Sequence, residues 1–291
     1  MKKKIISVIV GVAGLAAAYF VVSGISHIVY NRPVDNAATE STAETTEQGT
    51  EEAKAAMTED EINEMLAGMK TTETAETETA AEEQKEVIPV KFEELQAVNP
   101  DIYAWITVPG TVIDYPILQH ASDNTYYLMH NIDGSYGYPG CIYTENMNSK
   151  DFTDNNTVIY GHNMKNGSMF AQLHKFEDPD FFNENREVLI YLPDEVLHYT
   201  IFAAHIYDDR HLLYSFDFTD PEVYQKYLDS IFSTRDMSAN IDKDITVTTD
   251  DQIITLVTCI GSQPNNRLLV QAVLTDREPG TETAQAAATT E

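Results

Sequence analysis

The sequence predicts a mainly β fold, either a closed barrel or a sandwich. Short segments rich in Val, Ile, Tyr and Thr recur between residues 104 and 274, and this composition is typical of half-buried strands. They follow one another at modest spacing with turn-forming residues between them, which is the pattern of barrels and sandwiches. One amphipathic helix, over residues 220–232, interrupts the series.

We expect the folded domain to cover residues 87–276. It opens with a short helix in VKFEELQAVNPD, which ends at Asn99 because the residue before a proline avoids the helical region. A Pro109-Gly110 turn then separates the first two strands. The predicted strands are, in order, AWITVPG, VIDYPILQ, CIYTE, NTVIYGH, EVLIYLP, HYTIFAAHIY, DITVTTD, IITLVT and RLLVQAVL.

The helix over residues 220–232 has both a start signal and an apolar face. Asp220 is a good N-cap and Pro221 suits the first helical position. The apolar residues that follow recur at helical spacing; they are Val223, Tyr224, Tyr227, Leu228 and Ile231.

The N-terminus predicts a membrane anchor. Residues 1–4 form a basic tip, and residues 5–29 form an apolar run long enough to cross a bilayer. The lysines should stay in the cytoplasm and leave the rest of the chain outside. A cleaved signal peptide is the alternative, but its apolar region would be shorter and followed by small residues at a cleavage site. We therefore expect a single-pass protein of the cell membrane with an extracellular catalytic domain.

Residues 30–86 are predicted to be an acidic, disordered linker. Between Asn36 and Glu86 there are 15 acidic residues and 3 lysines, and no aromatic residue. Such a composition buries too little apolar surface to offset the entropy of ordering. TEDEINEMLAGMK has apolar residues at helical spacing, but we interpret it as solvated chain rather than as a docking element. The polar tail over residues 277–291 is also expected to be disordered.

The charge of the chain excludes one class of partner. The formal net charge is -29 and the pI is near 4.4, so the protein repels phosphate backbones and no nucleic acid is expected as a partner. The acidic residues show no calcium-loop spacing, and neither a metal nor a cofactor is expected.

Cys259 lies at the end of a predicted strand, and Arg267 starts the next one. A lone cysteine in this position is usually a small buried hydrophobe. The segment GSQPNN between them is turn-forming, however, and an antiparallel hairpin would place Cys259 and Arg267 side by side. A reactive thiolate also needs a proton acceptor. His162, which follows NTVIYG at a strand end, is the best of the eight histidines for this role.

These motifs together resemble the active-site signature of sortases. TLVTC followed by Arg267, with VIYGHN upstream, carries the likeness, which covers residues 87–276. NPDIYAWITVPGTVIDYPILQ, DNTYYL, NTVIYGHNMKNGSMFAQL and DPEVYQKYLDSIF resemble class B, as does the short spacing from Cys259 to Arg267. Sortases are membrane-anchored cysteine transpeptidases of Gram-positive bacteria. The resemblance implies a closed eight-stranded barrel with N-terminal helices.

The resemblance also implies residue roles. Cys259 would be the nucleophile, His162 the general acid and base, and Arg267 the stabiliser of the oxyanion or substrate. The enzyme would cleave a sorting motif after its threonine, form a thioester on Cys259, and transfer the surface protein to an amine such as the lipid II cross-bridge. Implied substrate contacts are Asn124, Leu128, Leu213, Tyr214 and Thr258. Class B enzymes often have serine two residues before the cysteine, where this chain has Val257.

Two other functions remain open at this point. A secreted cysteine endopeptidase of the papain or wall-hydrolase type would simply hydrolyse peptides, but such enzymes place the cysteine before the histidine and use an Asn or Asp partner. A non-catalytic wall-binding domain is the other alternative, and the intact set of Cys259, His162 and Arg267 argues against it.

Overall fold

The computed structural model describes residues 59–70 and 86–282, which form ten strands and five α-helices. The strands are β1 (Glu86–Ile88), β2 (Ile102–Thr107), β3 (Asp114–Leu118), β4 (Ile142–Thr144), β5 (Asn156–Tyr160), β6 (Glu187–Tyr191), β7 (Glu195–Asp208), β8 (Asn240–Ile241), β9 (Ile253–Ile260) and β10 (Gln263–Glu282). The α-helices are α1 (Glu59–Gly68), α2 (Phe92–Val98), α3 (Pro179–Glu184), α4 (Leu212–Ser215) and α5 (Pro221–Phe232). Two 3-10 helices cover Tyr126–Leu128 and Phe170–Glu177.

Eight of the strands close into a barrel. Their order is β10, β9, β5, β4, β3, β2, β6 and β7, and β7 pairs back onto β10 to complete the ring. This last pairing is antiparallel and long, running from Asn266 opposite Asp208 to Pro279 opposite Glu195. The predicted eight-stranded barrel is therefore confirmed, and the sandwich is excluded. β1 and β8 add to the edges of β10 and β7.

Strand alternation divides the apolar residues between two sides of the barrel wall. Ile254, Leu256 and Val270 belong to the cluster that fills the lumen, to which all eight barrel strands contribute. Their neighbours Val257 and Leu269 belong to a second cluster on the outer side. Because successive side chains of a strand point to opposite faces, a residue's parity along β9 or β10 decides whether it faces the core or the surface.

The outer side of this wall is covered by α5. The Asp220 carboxylate accepts hydrogen bonds from the backbone N–H groups of Glu222 and Val223, at 2.8 and 3.4 Å. The residues buried along the helix are Tyr224, Tyr227, Leu228 and Ile231. Both the capped start and the apolar face predicted from the sequence are confirmed.

Two predicted segments differ in the structure. DITVTTD, over residues 244–250, is not a strand, because the Asp251 carboxylate accepts from the backbone N–H and the hydroxyl of Thr248 and so forms a turn. Beyond residue 276, β10 continues to Glu282 instead of becoming disordered, since it pairs in parallel with β1 from Gly280 onward. The folded domain is longer at its C-terminal end than the composition indicates.

Helix α1 lies within the range expected to be a disordered linker. Its Ile62 and Leu66 are 8% and 6% exposed, and they belong to the same cluster as Trp105. After the helix, the Lys70 ammonium forms an ion pair with Asp114 at 2.5 Å. The interpretation of this segment as solvated chain is wrong, because one apolar face is enough to dock it on the barrel.

Several expectations fall outside the described residues. These are the basic tip over 1–4, the apolar anchor over 5–29, most of the linker over 30–86, and the tail from residue 283 onward. Within the described ranges, no helix is long and apolar enough to cross a bilayer.

The docking of α1 is testable by truncating its buried face. We expect Leu66→Ala to lower the free energy of unfolding by about 2–5 kcal/mol, because it removes a buried side chain from a packed cluster. Chemical denaturation of the full chain measures this. Glu64→Ala, on the exposed face of the same helix, is the matched control and should leave the unfolding midpoint unchanged. Equal stability of the two variants would show that α1 does not dock.

Candidate active site

Cys259 stands on the outer face of the barrel near the end of β9. It is exposed, whereas its strand neighbours Thr258 and Ile260 are buried. It is also a free thiol, as is Cys141, the other cysteine of the chain. Cys141 is buried, and that burial raises the pKa of its thiol well above the usual range. Cys141 is therefore a core residue, and only Cys259 is placed for chemistry with solvent or substrate.

Arg267 lies directly opposite Cys259 in the antiparallel ladder between β9 and β10. Side chains in such a pair have Cβ atoms about 5 Å apart on the same face. The hairpin predicted from GSQPNN is present, but its turn is only Gly261 and Ser262. Gln263 already pairs with Ile260 in β10, and the register is irregular between Gln263 and Arg267. Arg267 Nη1 donates to the carbonyls of Pro264 and Asn266, both at 2.9 Å, so the hairpin holds the guanidinium in place.

His162 reaches the same face from the other side of β9. β5 and β9 are parallel, with Tyr160 opposite Val257 as the last pair of the ladder. The contact continues one step further, since Gly161 N–H donates to the Val257 carbonyl at 3.1 Å. His162 is two residues beyond Tyr160, and Cys259 is two residues beyond Val257. Continued two residues past the ladder, this register brings His162 and Cys259 to the same end of the two strands.

Gly161 is required at this strand end by close packing. A Cβ atom there would lie 2.5 Å from Ile142 Cδ1 and 2.6 Å from the ring of Phe170. A side chain at this position would push the neighbouring core residues away and displace the turn that carries His162.

The hydrogen bond of His162 defines which ring nitrogen holds the proton. Nε2 lies 2.7 Å from the carbonyl oxygen of Leu128, and a carbonyl only accepts, so Nε2 carries a hydrogen. In the neutral ring the lone pair is then on Nδ1. Burial lowers the pKa of His162, while the bond to Leu128 partly opposes that effect. The ring is therefore a neutral base at neutral pH.

Tyr138 shields this histidine. Its ring meets the ring of His162 edge to face, with centroids 5.2 Å apart. Burial raises the pKa of the Tyr138 hydroxyl, with the nearby Tyr136 and Cys259 adding to the effect. Sequence reasoning missed Tyr138, because it lies in a loop without motif character and meets His162 only in the folded barrel.

The predicted substrate contacts lie in three parts of the chain: Asn124 and Leu128 between β3 and β4, Leu213 and Tyr214 on α4, and Thr258 on β9. Leu128 is half-buried, and its backbone carbonyl accepts the hydrogen bond from His162. The side-chain oxygen of Asn124 accepts from the N–H of Asn146 at 2.9 Å. Leu213 and Tyr214 stand on α4 and line a cleft of about 590 Å³. Tyr214 is 70% exposed.

The expectation for Thr258 is wrong. Its side chain is 2% exposed, and its hydroxyl donates to the Gly161 carbonyl at 2.9 Å. Strand alternation points it away from the face that carries Cys259. Thr258 therefore ties β9 to the turn after β5 instead of meeting a substrate.

A buried hydrogen bond between His211 and Glu145 holds α4 against the barrel. His211 Nε2 lies 2.8 Å from Glu145 Oε1, with side-chain exposures of 6% and 1%. The Nδ1 of the same ring accepts from the N–H of Tyr214 at 3.3 Å and so caps α4. Sequence analysis did not identify this role of His211, because its partner lies 66 residues away and is brought close only by the barrel.

Asn163 and His174 both contact the backbone of Cys259. Asn163 Nδ2 donates to the Cys259 carbonyl at 2.9 Å, and His174 Nε2 lies 3.1 Å from the same oxygen. Sequence analysis identified neither residue for this position. The motif VIYGHN contains Asn163, but the sequence alone does not indicate what it binds.

The arrangement brings together a thiol, a neutral imidazole and a guanidinium on one face of a rigid wall. An imidazole beside a thiol can accept its proton and later return it. A guanidinium beside the thiol can stabilise the negative charge that develops on a carbonyl oxygen when the thiolate attacks it. This combination suits acyl transfer through a thioester.

Comparison with known proteins gives a consistent result. A family model described as the Sortase domain matches residues 106–275. Sortase B of Listeria monocytogenes is 34% identical over 188 residues, which cover 63% of this chain and 74% of that protein. The structure of Clostridium perfringens sortase B superposes with a TM-score of 0.58 at 34% identity, covering 64% of this chain and all of that one. A Staphylococcus aureus sortase B–substrate complex gives 0.56 at 27% identity, covering 64% and 84%.

The shielding of His162 by Tyr138 is testable by titration. We expect Tyr138→Ala to raise the pKa of His162, because removing the ring admits water and water favours the charged imidazolium. The His162 ring resonances followed by NMR against pH report this directly. Tyr136→Ala is the control, since the Tyr136 ring packs on His130 and not on His162. An unchanged or lower His162 pKa in Tyr138→Ala contradicts the shielding.

Proposed function

Because this chain belongs to the sortase family, and within it to class B, we propose that Cys259, His162 and Arg267 carry out its reaction. Sortases are cysteine transpeptidases that anchor surface proteins, and the family match over residues 106–275 covers most of the barrel. The observation that supports these roles best is that the three residues lie on neighbouring strands: His162 follows β5, Cys259 is on β9, and Arg267 is on β10. The registers of β5 with β9 and of β9 with β10 place all three side chains on one outer face.

In the proposed first half-reaction, neutral His162 takes the proton of the Cys259 thiol. The thiolate attacks the carbonyl carbon of the threonine in a sorting motif, and Arg267 stabilises the resulting oxyanion. The C–N bond of the peptide then breaks, His162 gives its proton to the leaving amine, and the surface protein is held as a thioester on Cys259. The lowered pKa of His162 keeps the ring in the neutral form that can accept a proton, and it makes the imidazolium a stronger acid for the return of that proton.

The second half-reaction resolves the thioester with an amine. We propose the cross-bridge amine of lipid II as the acceptor. His162 takes a proton from the attacking amine, a new C–N bond forms, the C–S bond breaks, and the thiol is restored. A water molecule in place of the amine would give hydrolysis instead, which is the outcome expected of a simple endopeptidase.

The substrate is proposed to lie between two walls of the outer face. Asn124 and Leu128 stand on one wall, and Leu213 and Tyr214 on α4 form the other. The Staphylococcus aureus relative has been solved as a sortase B–substrate complex, which supports a peptide groove in this fold. The Val257 side chain is 8% exposed and packs in the outer cluster, so it offers apolar surface where serine would offer a hydroxyl.

The location proposed for the enzyme is the outer surface of the cell membrane. The basic tip over residues 1–4 and the apolar run over 5–29 support a cytoplasmic N-terminus with the barrel outside. There the enzyme meets surface proteins that bear a sorting motif and an acceptor held at the membrane.

The nucleophile is tested by replacing each cysteine in turn. We expect Cys259→Ala to abolish cleavage of sorting peptides, because no other exposed thiol exists in the chain. The mass peak of the acyl-enzyme thioester should also be absent in this variant. A peptide library analysed by mass spectrometry, with and without an added amine, measures both effects. Cys141→Ala is the control and should keep activity. Activity in Cys259→Ala would refute the mechanism, and hydrolysis alone in the presence of amine would favour the endopeptidase.

The oxyanion role is tested with Arg267→Lys. We expect kcat/KM to fall by about 10²–10³-fold, the usual loss for one oxyanion donor, because lysine keeps the charge but lacks the rigid fork. Steady-state kinetics on the best library peptide gives the value. Arg210→Lys, at an exposed pair with Asp208, should retain full activity. Wild-type kinetics in Arg267→Lys would remove Arg267 from the mechanism.

A further inference from the structure

The pairing of β5 with β9 is extended by a side chain at the active site. Gly161 N–H donates to the Val257 carbonyl, and the next carbonyl on that edge of β9 belongs to Cys259. In a regular parallel ladder the N–H of Asn163 would bind it. Here the chain instead pairs with the segment around Met169, opposite Asn163, where the Phe170 N–H donates to the His162 carbonyl. The side-chain Nδ2 of Asn163 donates to the Cys259 carbonyl at 2.9 Å and so replaces the missing backbone donor.

His174 adds a second contact to the same oxygen. Its Nε2 lies 3.1 Å from the Cys259 carbonyl and 3.0 Å from Asn163 Nδ2, and its Nδ1 lies 3.0 Å from a Glu177 carboxylate oxygen. With hydrogen on both nitrogens, the ring donates to Glu177 and to Cys259. With hydrogen on Nδ1 only, Nε2 accepts from Asn163. The Asn163 amide has two hydrogens, so it holds Cys259 in both states.

His174 belongs to the 3-10 helix over Phe170–Glu177, and that helix is also attached to the general base. The N–H of Phe170 donates to the carbonyl of His162 at 2.9 Å. The backbones of His162 and Cys259 are therefore linked in two ways: directly through Asn163, the chain neighbour of His162, and through the helix that carries His174.

We propose that Asn163 and His174 are positioning residues that fix the distance between the Cys259 thiol and the His162 ring. The proposal rests on the proposed function, because a fixed thiol–imidazole distance matters only if the thiol reacts. Both contacts are made to the Cys259 carbonyl, on the backbone, and the proposal gives neither side chain a role in binding the peptide. Their effect is on the proton transfer from Cys259, and a displacement of 1 Å at such a contact can cost about 100-fold in rate.

A purely structural role makes a different prediction. A hydrogen bond at a partly exposed strand end contributes modestly to stability, and its loss would lower the melting temperature without affecting the chemistry. The two roles are separated by kcat, by KM, and by the reactivity of the Cys259 thiol measured without any peptide.

The experiment compares Asn163→Ala, His174→Leu and His174→Gln in the full chain. The glutamine variant keeps an N–H donor near the position of Nε2, so it should restore most of what leucine loses. Asn166→Ala is the control, since Asn166 lies in the same loop and its side-chain oxygen binds Ser168. Each variant is measured for kcat and KM on the sorting peptide, for melting temperature, and for alkylation of Cys259 by iodoacetamide, with the modified residue located by mass spectrometry.

We expect Asn163→Ala to lower kcat by about 10–100-fold with KM within about twofold of wild type, since only positioning is lost. Alkylation at neutral pH should slow in parallel, because His162 no longer accepts the thiol proton efficiently. His174→Leu should show the same pattern with a smaller loss, and His174→Gln should lie nearer to wild type. Asn166→Ala should match wild type in kcat, in KM and in alkylation, even if the loss of its bonds to Ser168 lowers the melting temperature.

Wild-type kcat and alkylation in Asn163→Ala and His174→Leu would overturn the proposal, whatever happens to the melting temperature. A raised KM with unchanged kcat would also overturn it, since it would indicate substrate binding instead. If Asn163→Ala does not fold, the two His174 variants decide the question. If the wild-type chain itself cleaves no sorting peptide, the proposed function fails, and alkylation of Cys259 alone then decides whether the two side chains position the thiol.

Discussion

The parallel pairing of β5 with β9 is the constraint on which the rest of the site depends. These strands are far apart in sequence, and only closure of the barrel makes them neighbours. A strand cannot slip by one residue without turning every side chain to the opposite face. The filled lumen therefore opposes a one-residue shift of either strand, which would separate His162 from Cys259. The core thus fixes the strand register, and the finer positioning proposed for Asn163 and His174 depends on that register.

Neighbouring residues of the barrel wall lie in very different environments. Thr258 points inward and is satisfied by a backbone carbonyl, whereas Cys259 beside it points outward and is exposed. On the outer face, His162 is buried enough to have a lowered pKa, while Arg267 is held by its own hairpin. A neutral base and a permanent cation thus flank one thiol, and each is maintained by a different local environment.

Sequence reasoning succeeded where the signal was local or belonged to a hairpin. The cap at Asp220, the turn between Cys259 and Arg267, and the apolar alternation of the strands each depend on residues close together in the chain. It failed where partners are distant. Glu145 and His211 are 66 residues apart, so local patterns could not pair them. Helix α1 was also misjudged. Its apolar residues at helical spacing were evident, but the acidic composition around them favoured the interpretation as solvated chain.

The outer hydrophobic cluster and the proposed groove share their side chains. Val257 and Leu269 lie in the layer that holds α5 on the barrel, and Leu213 packs against that layer. Residues that would select a peptide are therefore also residues that keep the domain folded. In evolution or in directed redesign, a change of motif preference at these positions carries a cost in stability, and compensating changes elsewhere in the cluster become part of acquiring a new substrate.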